Sequence, residues 1–190
     1  MKKNRLEAFS DGVMAVILTI LVLELKVPHG TEYSDLAPMI PKFLCYVLSF
    51  VYIAIYWNNH HHMLQAARRV DGRVLWANLH LLFWLSLIPF GTAWMGETFF
   101  ATWPVAIYGA ILFVTGFAYY LLERALTAVP GQDGMLAKAF DSRTKEWLSL
   151  GGYALAVPAA FVSPWISFAI YVGIAALWFL PDLRIERQLK

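Results

Sequence analysis

An all-α membrane protein with six transmembrane helices is the fold class this sequence predicts, and three observations predict it. The chain of 190 residues is 59% hydrophobic and only 15% charged, outside the range of ordinary soluble domains. Its apolar residues fall in runs long enough to cross a bilayer, separated by short polar stretches. Its basic residues gather in alternate loops, as the positive-inside rule asks of a six-span chain. One transmembrane domain over residues 1–190 is expected, with no second unit. A net charge of +2 gives no reason to expect a nucleic-acid partner. The single cysteine, Cys45, excludes an intramolecular disulfide and reads as a small buried hydrophobe.

The first helix is expected from Arg5 or Leu6 to Pro28. It carries no charge from Gly12 to Leu23, and at ~1.5 Å per residue it reaches ~34 Å, enough to cross a hydrocarbon core of ~30 Å with some tilt. Asp11 and Glu24 inside the segment, with no small-residue cleavage site before Pro28, argue for a retained helix and against a secretory signal. His29 to Pro41 is a polar loop whose prolines suit a turn and a helix start. The second span runs from about Lys42 to Met63 and ends on Tyr56, Trp57, Asn58, Asn59, His60, His61 and His62, a sequence suited to an interface or a polar interior contact. A basic turn at Arg68, Arg69, Asp71 and Arg73 leads to the third span, Val74 to Met95, where Asn78, His80, Pro89 and Thr92 are too polar for a purely lipid-facing helix.

Trp103 to Leu122 is a cleaner fourth helix, with Gly109 and Gly116 available for close packing. Glu123 to Glu146 is the longest polar stretch and reads as a loop with a short surface helix. Trp147 to Val162 and Trp165 to Leu180, divided by the Ser163–Pro164 turn, give a fifth and a sixth span, both near the lower length limit of ~17 residues. Six spans put Lys2, Lys3, Arg5, Arg68, Arg69, Arg73, Arg124, Lys138, Arg143, Lys145, Arg184, Arg187 and Lys190 on one side, against Lys26 and Lys42 on the other. The chain is therefore expected in the inner membrane with both termini in the cytoplasm.

With that topology, distance along the chain becomes depth. Asp11, His60 and Asn78 each fall roughly 8 to 12 Å from the inner basic flank at ~1.5 Å per residue, so they can meet. An ionisable side chain at that depth costs at least a few kcal/mol unless paired, and Ser10, His60, Asn78 and the Trp57 indole are the candidate partners of Asp11. A structural polar clamp is preferred here to a proton pathway through Asp11 and His60. A metal site in His60, His61 and His62 is disfavoured, because consecutive helical side chains point about 100° apart. No metal or cofactor is expected.

Another face of the first helix carries Phe9, Gly12, Val16, Thr19, Ile20, Leu23 and Val27, apolar except for Thr19. Asp11 lies about 140° from Val16, so the polar cluster and this stripe face different directions. Periodicity alone leaves open whether the stripe faces lipid, a neighbouring helix or a pore.

Arg5, Phe9, Ser10 and Asp11 form R-x-x-x-F-S-D at the start of the first helix. Together with G-V-M-A-V-I-L-T-I-L-V-L-E-L after it, Y-W-N-N-H-H-H-M closing the second span and N-L-H-L-L-F-W-L-S-L-I-P-F in the third, this pattern resembles the transmembrane protein 175 family, the potassium channels of animal endolysosomes and their bacterial relatives. The resemblance covers residues 5 to 97; beyond them only the six-span hydropathy agrees. It implies a homotetramer with a central pore lined by the first helix, permeable to monovalent cations and favouring potassium over sodium, with no carbonyl filter and no enzymatic step. The implied pore-facing positions are Val16, Thr19, Ile20 and Leu23. The implied structural network holds Arg5, Phe9, Ser10 and Asp11 against Trp57, His60 and Asn78. A proton-coupled secondary transporter using the Asp11 and His60 cluster is the alternative, and a broken helix near the bilayer midplane would favour it.

Overall fold

The computed structural model describes residues 3–28, 30–131 and 144–179. Lys2, Lys138, Arg143, Arg184, Arg187 and Lys190, on which the expected orientation partly rests, lie outside the described residues, as do His29, Leu180 and Pro181. Helix α1 spans Lys3–Leu23, 21 residues or ~31 Å. It stops short of Pro28, where the sequence reading had carried it. After Leu23 the chain tightens, with Leu25 N–H donating to Val22 O at 3.1 Å and Lys26 N–H to Glu24 O at 3.0 Å. The proline then disfavours helical backbone at Val27.

A 3₁₀ helix over Tyr33–Met39 follows, its start closed by Asp35 accepting the Glu32 N–H at 3.0 Å. Helix α2 covers Ile40–Ala66, with Pro41 in its first turn, where no donor is lost. Asp71 caps α3 (Gly72–Ser86), its Oδ1 accepting Arg73 N–H at 2.9 Å and Val74 N–H at 3.0 Å. Helices α4 (Ile88–Glu97), α5 (Thr102–Thr127), α6 (Thr144–Ala159) and α7 (Pro164–Phe179) complete the described chain, which contains no strand.

Among the described residues, four stretches are long and apolar enough to cross a membrane: α1, the 3₁₀ helix with α2, α3 with α4, and α5. Helices α6 and α7 have 16 described residues each. The fourth expected span is longer than Trp103 to Leu122. It runs on to Thr127, so Glu123 lies in the helix, fully buried, rather than in a loop.

The third expected span is two helices, broken at one residue. Leu87 keeps helical dihedrals, φ −87° and ψ −12°, so the backbone is interrupted without unwinding. Pro89 accounts for the break, because it has no N–H to donate and its ring crowds the carbonyl four residues back. Just past it, the single Thr92 hydroxyl proton goes to Ile88 O at 2.7 Å. Ser49 must therefore donate to Thr92 across 2.6 Å, and Tyr108 to Ser49 across 2.8 Å, a closed chain that ties α2, α4 and α5 together.

Helix α5 is the axle of the bundle. Val105, Tyr108, Leu112, Ala118 and Leu122 are buried along it, and α3, α4, α6 and α7 pack around it. Helix α1 packs on α2, α3 and α4 at the edge of the bundle, while α6 and α7 stand against α5 and α2. The two helices whose placement the sequence left open therefore sit away from α1.

Gly96 sets the approach of α4 to α2. A Cβ there would lie 2.9 Å from Lys42 Cα, a backbone atom that cannot swing aside. Gly96→Ala is expected to force the two helices apart and cost about 1–3 kcal/mol. A lowered thermal midpoint of the detergent-solubilised protein checks this; an unchanged midpoint would show that the crossing yields freely.

Candidate functional site

Two faces of α1 matter, and the packing separates them. Leu6, Ser10, Met14, Ile17 and Leu21 are buried against the rest of the subunit. The opposite face carries Phe9, Gly12, Val16, Thr19, Ile20 and Leu23, and all of them are exposed. Val16 is 57% exposed, Ile20 43% and Leu23 72%. The subunit leaves uncovered the stripe that periodicity singled out. Val27, the last position of that stripe, lies beyond the helix end.

Within the stripe, Thr19 is the polar exception. Its hydroxyl donates to Ala15 O at 2.9 Å, so the proton is spent on the helix itself. The oxygen lone pair left over faces outward and suits a cation better than an anion.

On the buried face, Asn78 is the hub of a directed chain. Its Oδ1 only accepts, so the 2.7 Å contact makes His60 Nε2 the donor. Its Nδ2 donates to Ser10 Oγ at 2.9 Å, and Ser10 Oγ donates to Leu6 O at 2.9 Å. Ser10, His60 and Asn78 are all fully buried, and one chain of bonds runs from α2 through α3 to α1.

Asp11 belongs to a second, more open contact. Trp57 Nε1 donates to Asp11 Oδ1 at 3.0 Å, and one turn further toward the end of the bundle His61 Nδ1 lies 3.3 Å from Glu7 Oε1. Glu7 and Asp11 are four apart on α1, as Trp57 and His61 are on α2, so the contacts form two rungs between the helices. The Trp57 and His61 rings are stacked, with centroids 5.8 Å apart. His61 thus has a specific neighbour, which the sequence reading did not foresee; the i, i+4 spacing of Glu7 before Asp11 was the available signal.

Five of the seven expected network residues are brought together: Ser10, Asp11, Trp57, His60 and Asn78. Arg5 and Phe9 are not. Both are exposed, and neither makes a side-chain hydrogen bond among the described residues. Lys3 takes the place foreseen for a basic anchor, donating to Gln65 O at 3.2 Å and Ala67 O at 3.1 Å, where the α2 dipole favours a cation.

The described Lys and Arg residues other than Lys26 and Lys42 gather at this same end of the helices: Lys3 and Arg5 opening α1, Arg68 and Arg69 after α2, Arg73 opening α3, Arg124 near the end of α5 and Lys145 opening α6. At the other end, Glu97 lies 3.4 Å from Lys26 and 3.6 Å from Lys42. Both pairs are too exposed to add much stability. Glu97 thus faces both described lysines of that end.

Comparison with known proteins bears on this arrangement. The family model described as "Endosomal/lysosomal potassium channel TMEM175" matches residues 5–89. A protein named as a potassium channel in Chryseobacterium sp. strain P1-3 is 50% identical over 190 residues, 100% of this chain and 99% of that one. The crystal structure of a lysosomal potassium-selective channel TMEM175 homolog from Chamaesiphon minutus superposes with a TM-score of 0.81 at 27% identity, covering 94% of this chain and 96% of that one. A zebrafish (Danio rerio) protein named endosomal/lysosomal proton channel TMEM175 is 26% identical over 133 residues, 67% of this chain and 25% of that protein.

Proposed function

The chain belongs to the TMEM175 family, and on that premise we propose that it is a potassium-permeable channel in which four copies of α1 surround a shared axis. It is a multi-pass membrane protein and not an enzyme. The observation that carries the reading is the uncovered face of α1, a continuous stripe of Val16, Thr19, Ile20 and Leu23 at the edge of the subunit that no described residue of its own chain covers. Apolar rings of four side chains each, from Val16, Ile20 and Leu23, exclude water when narrow and admit a hydrated ion when spread, a dewetting gate that needs no carbonyl filter. Thr19 supplies four hydroxyl oxygens between the rings, where a potassium ion that has shed part of its hydration finds replacement ligands. Potassium passes before sodium because it loses water at lower cost.

The clamp sets which face of α1 meets the axis. Ser10 and Asp11 are held to α3 and α2 from behind, so rotation of α1 about its own axis is resisted on the side opposite the stripe. The gathered basic residues support a topology with this end, and the N-terminus, at the cytoplasmic face of the inner membrane.

A proton-coupled carrier is poorly supported by the same geometry. Asp11 and His60 lie on separate hydrogen-bond chains, and His60 reaches Ser10 only through the Asn78 amide, which does not titrate. The break at Leu87 keeps helical dihedrals and offers no unwound ion site.

Potassium efflux from proteoliposomes tests the reading. Rapid efflux down its gradient, linear in driving force and independent of any second solute, is the expected result. Saturating exchange that requires a counter-solute would overturn it in favour of a carrier. The zebrafish relative's name makes a pH-sensitive dye in the same vesicles worthwhile, since it reads proton passage directly.

A further inference from the structure

On the far side of the subunit from α1, helices α2, α5, α6 and α7 line a partly open cavity of ≈ 40 Å³. That is room for a few waters or one small polar group. Its wall is mostly aromatic, with Tyr56, Tyr119, Tyr153 and Trp178, and the Glu146 side chain lines it as well. The Tyr56 and Tyr119 rings meet edge to face with centroids 5.9 Å apart.

The hydrogen bonding of this wall is uneven. Ser149 Oγ has partners on both sides, donating to Lys145 O at 2.7 Å and accepting from Trp178 Nε1 at 2.9 Å. Neither the Tyr56 nor the Tyr119 hydroxyl makes a hydrogen bond among the described residues. Two phenol hydroxyls without a protein partner on one space favour an occupant that hydrogen-bonds.

We propose that this cavity is a binding site for a primary ammonium group. Phenol oxygens and a carboxylate accept hydrogen bonds, aromatic faces are electronegative, and an –NH₃⁺ group is the small occupant that satisfies all three together. A bare metal ion fits less well, because it takes six or more oxygens and this wall is mainly carbon. The chain itself places an ammonium on the same aromatic wall: Lys145 Nζ lies 6.0 Å from the Trp178 ring centroid. The ammonium comes from a free small amine or from the headgroup of an aminophospholipid, and the test separates the two. The site shares no residue with the stripe or the clamp, so it stands or falls independently of the channel reading.

Methylammonium chloride is the probe, added to the full-length protein in detergent while thermal unfolding is followed against equal concentrations of potassium chloride. The expected result is a saturable rise in the midpoint with methylammonium alone. The paired substitution Tyr56→Phe and Tyr119→Phe, and separately Glu146→Gln, each weaken it about tenfold, as loss of hydrogen bonds to a charged group does. The Phe pair keeps both rings, so its unliganded midpoint reports whether folding is intact. A rise that potassium chloride reproduces, or one that survives both sets of substitutions unchanged, would overturn the proposal. In nanodiscs, loss of the methylammonium effect in phosphatidylethanolamine but not in phosphatidylcholine identifies the lipid headgroup as the occupant. Its persistence in both lipids identifies a free amine.

Discussion

Leu23→Ala is expected to raise potassium conductance strongly and to lower the preference for potassium over sodium. Leu23 is the last residue of α1 and more exposed than Val16 or Ile20, so it projects farther from its own subunit than they do. In a four-fold assembly the substitution removes side-chain carbon from four places on one ring, which widens the constriction and lets water stand in it. Each ~1.4 kcal/mol taken off the barrier to ion passage is worth about tenfold in rate. The increase is therefore at least several-fold, and sodium gains more than potassium because it no longer has to shed as much water. Val16→Ala removes fewer carbons and is expected to act in the same direction with a smaller effect. Single-channel recording with potassium on one side and sodium on the other reads both quantities. Conductance and selectivity that ignore both substitutions would put the narrowest ring elsewhere.

Asn78→Leu is expected to be the most damaging change in the clamp. It removes both polar arms of the hub, leaving His60 Nε2–H and Ser10 Oγ buried with their partner gone. Interhelical hydrogen bonds within a membrane are worth about 0.6–2 kcal/mol each, so losing two costs roughly 1–4 kcal/mol. The cost is concentrated on the attachment of α1, and the tetramer fraction in detergent falls with it. Asp11→Ala removes the Trp57 contact, which is partly open to water, and is expected to harm assembly less than the change at Asn78. Size-exclusion profiles and purified yield check the order. Normal tetramers with normal current from both variants would mean that packing alone orients α1.

The sequence disclosed α1 and its two faces because the evidence there is local. Ser10 and Asp11 sit at the mouth of an uncharged apolar run, and a helix of that length has to turn its polar side inward. Asn78 and His60 were legible for a related reason, as polar residues stranded at equal depth on neighbouring spans. Helix ends were less legible. Charge at Glu123 read as loop, although α5 buries that residue completely, and the pull of Pro28 on Val27 went unweighed. The break at Leu87 was foreshadowed by Pro89, yet a proline alone does not say whether a helix bends or unwinds. The cavity was invisible, since Tyr56, Tyr119, Glu146 and Trp178 are scattered across four helices and nothing in sequence spacing brings them together. Ser49, Tyr52 and Tyr56 on one face of α2 were the single available hint of a polar, aromatic interior.

Cysteine accessibility tests the placement of α1 around the axis most directly. Cys45 is fully buried, so a thiol reagent added to intact channels meets only a cysteine that has been introduced. Leu23→Cys places one on the stripe, and Phe83→Cys places a control on the exposed face of α3. The account predicts that a bulky, charged thiol reagent abolishes potassium current through Leu23→Cys and leaves Phe83→Cys conducting. Complete modification of Leu23→Cys, verified by mass, with the current unchanged would contradict it.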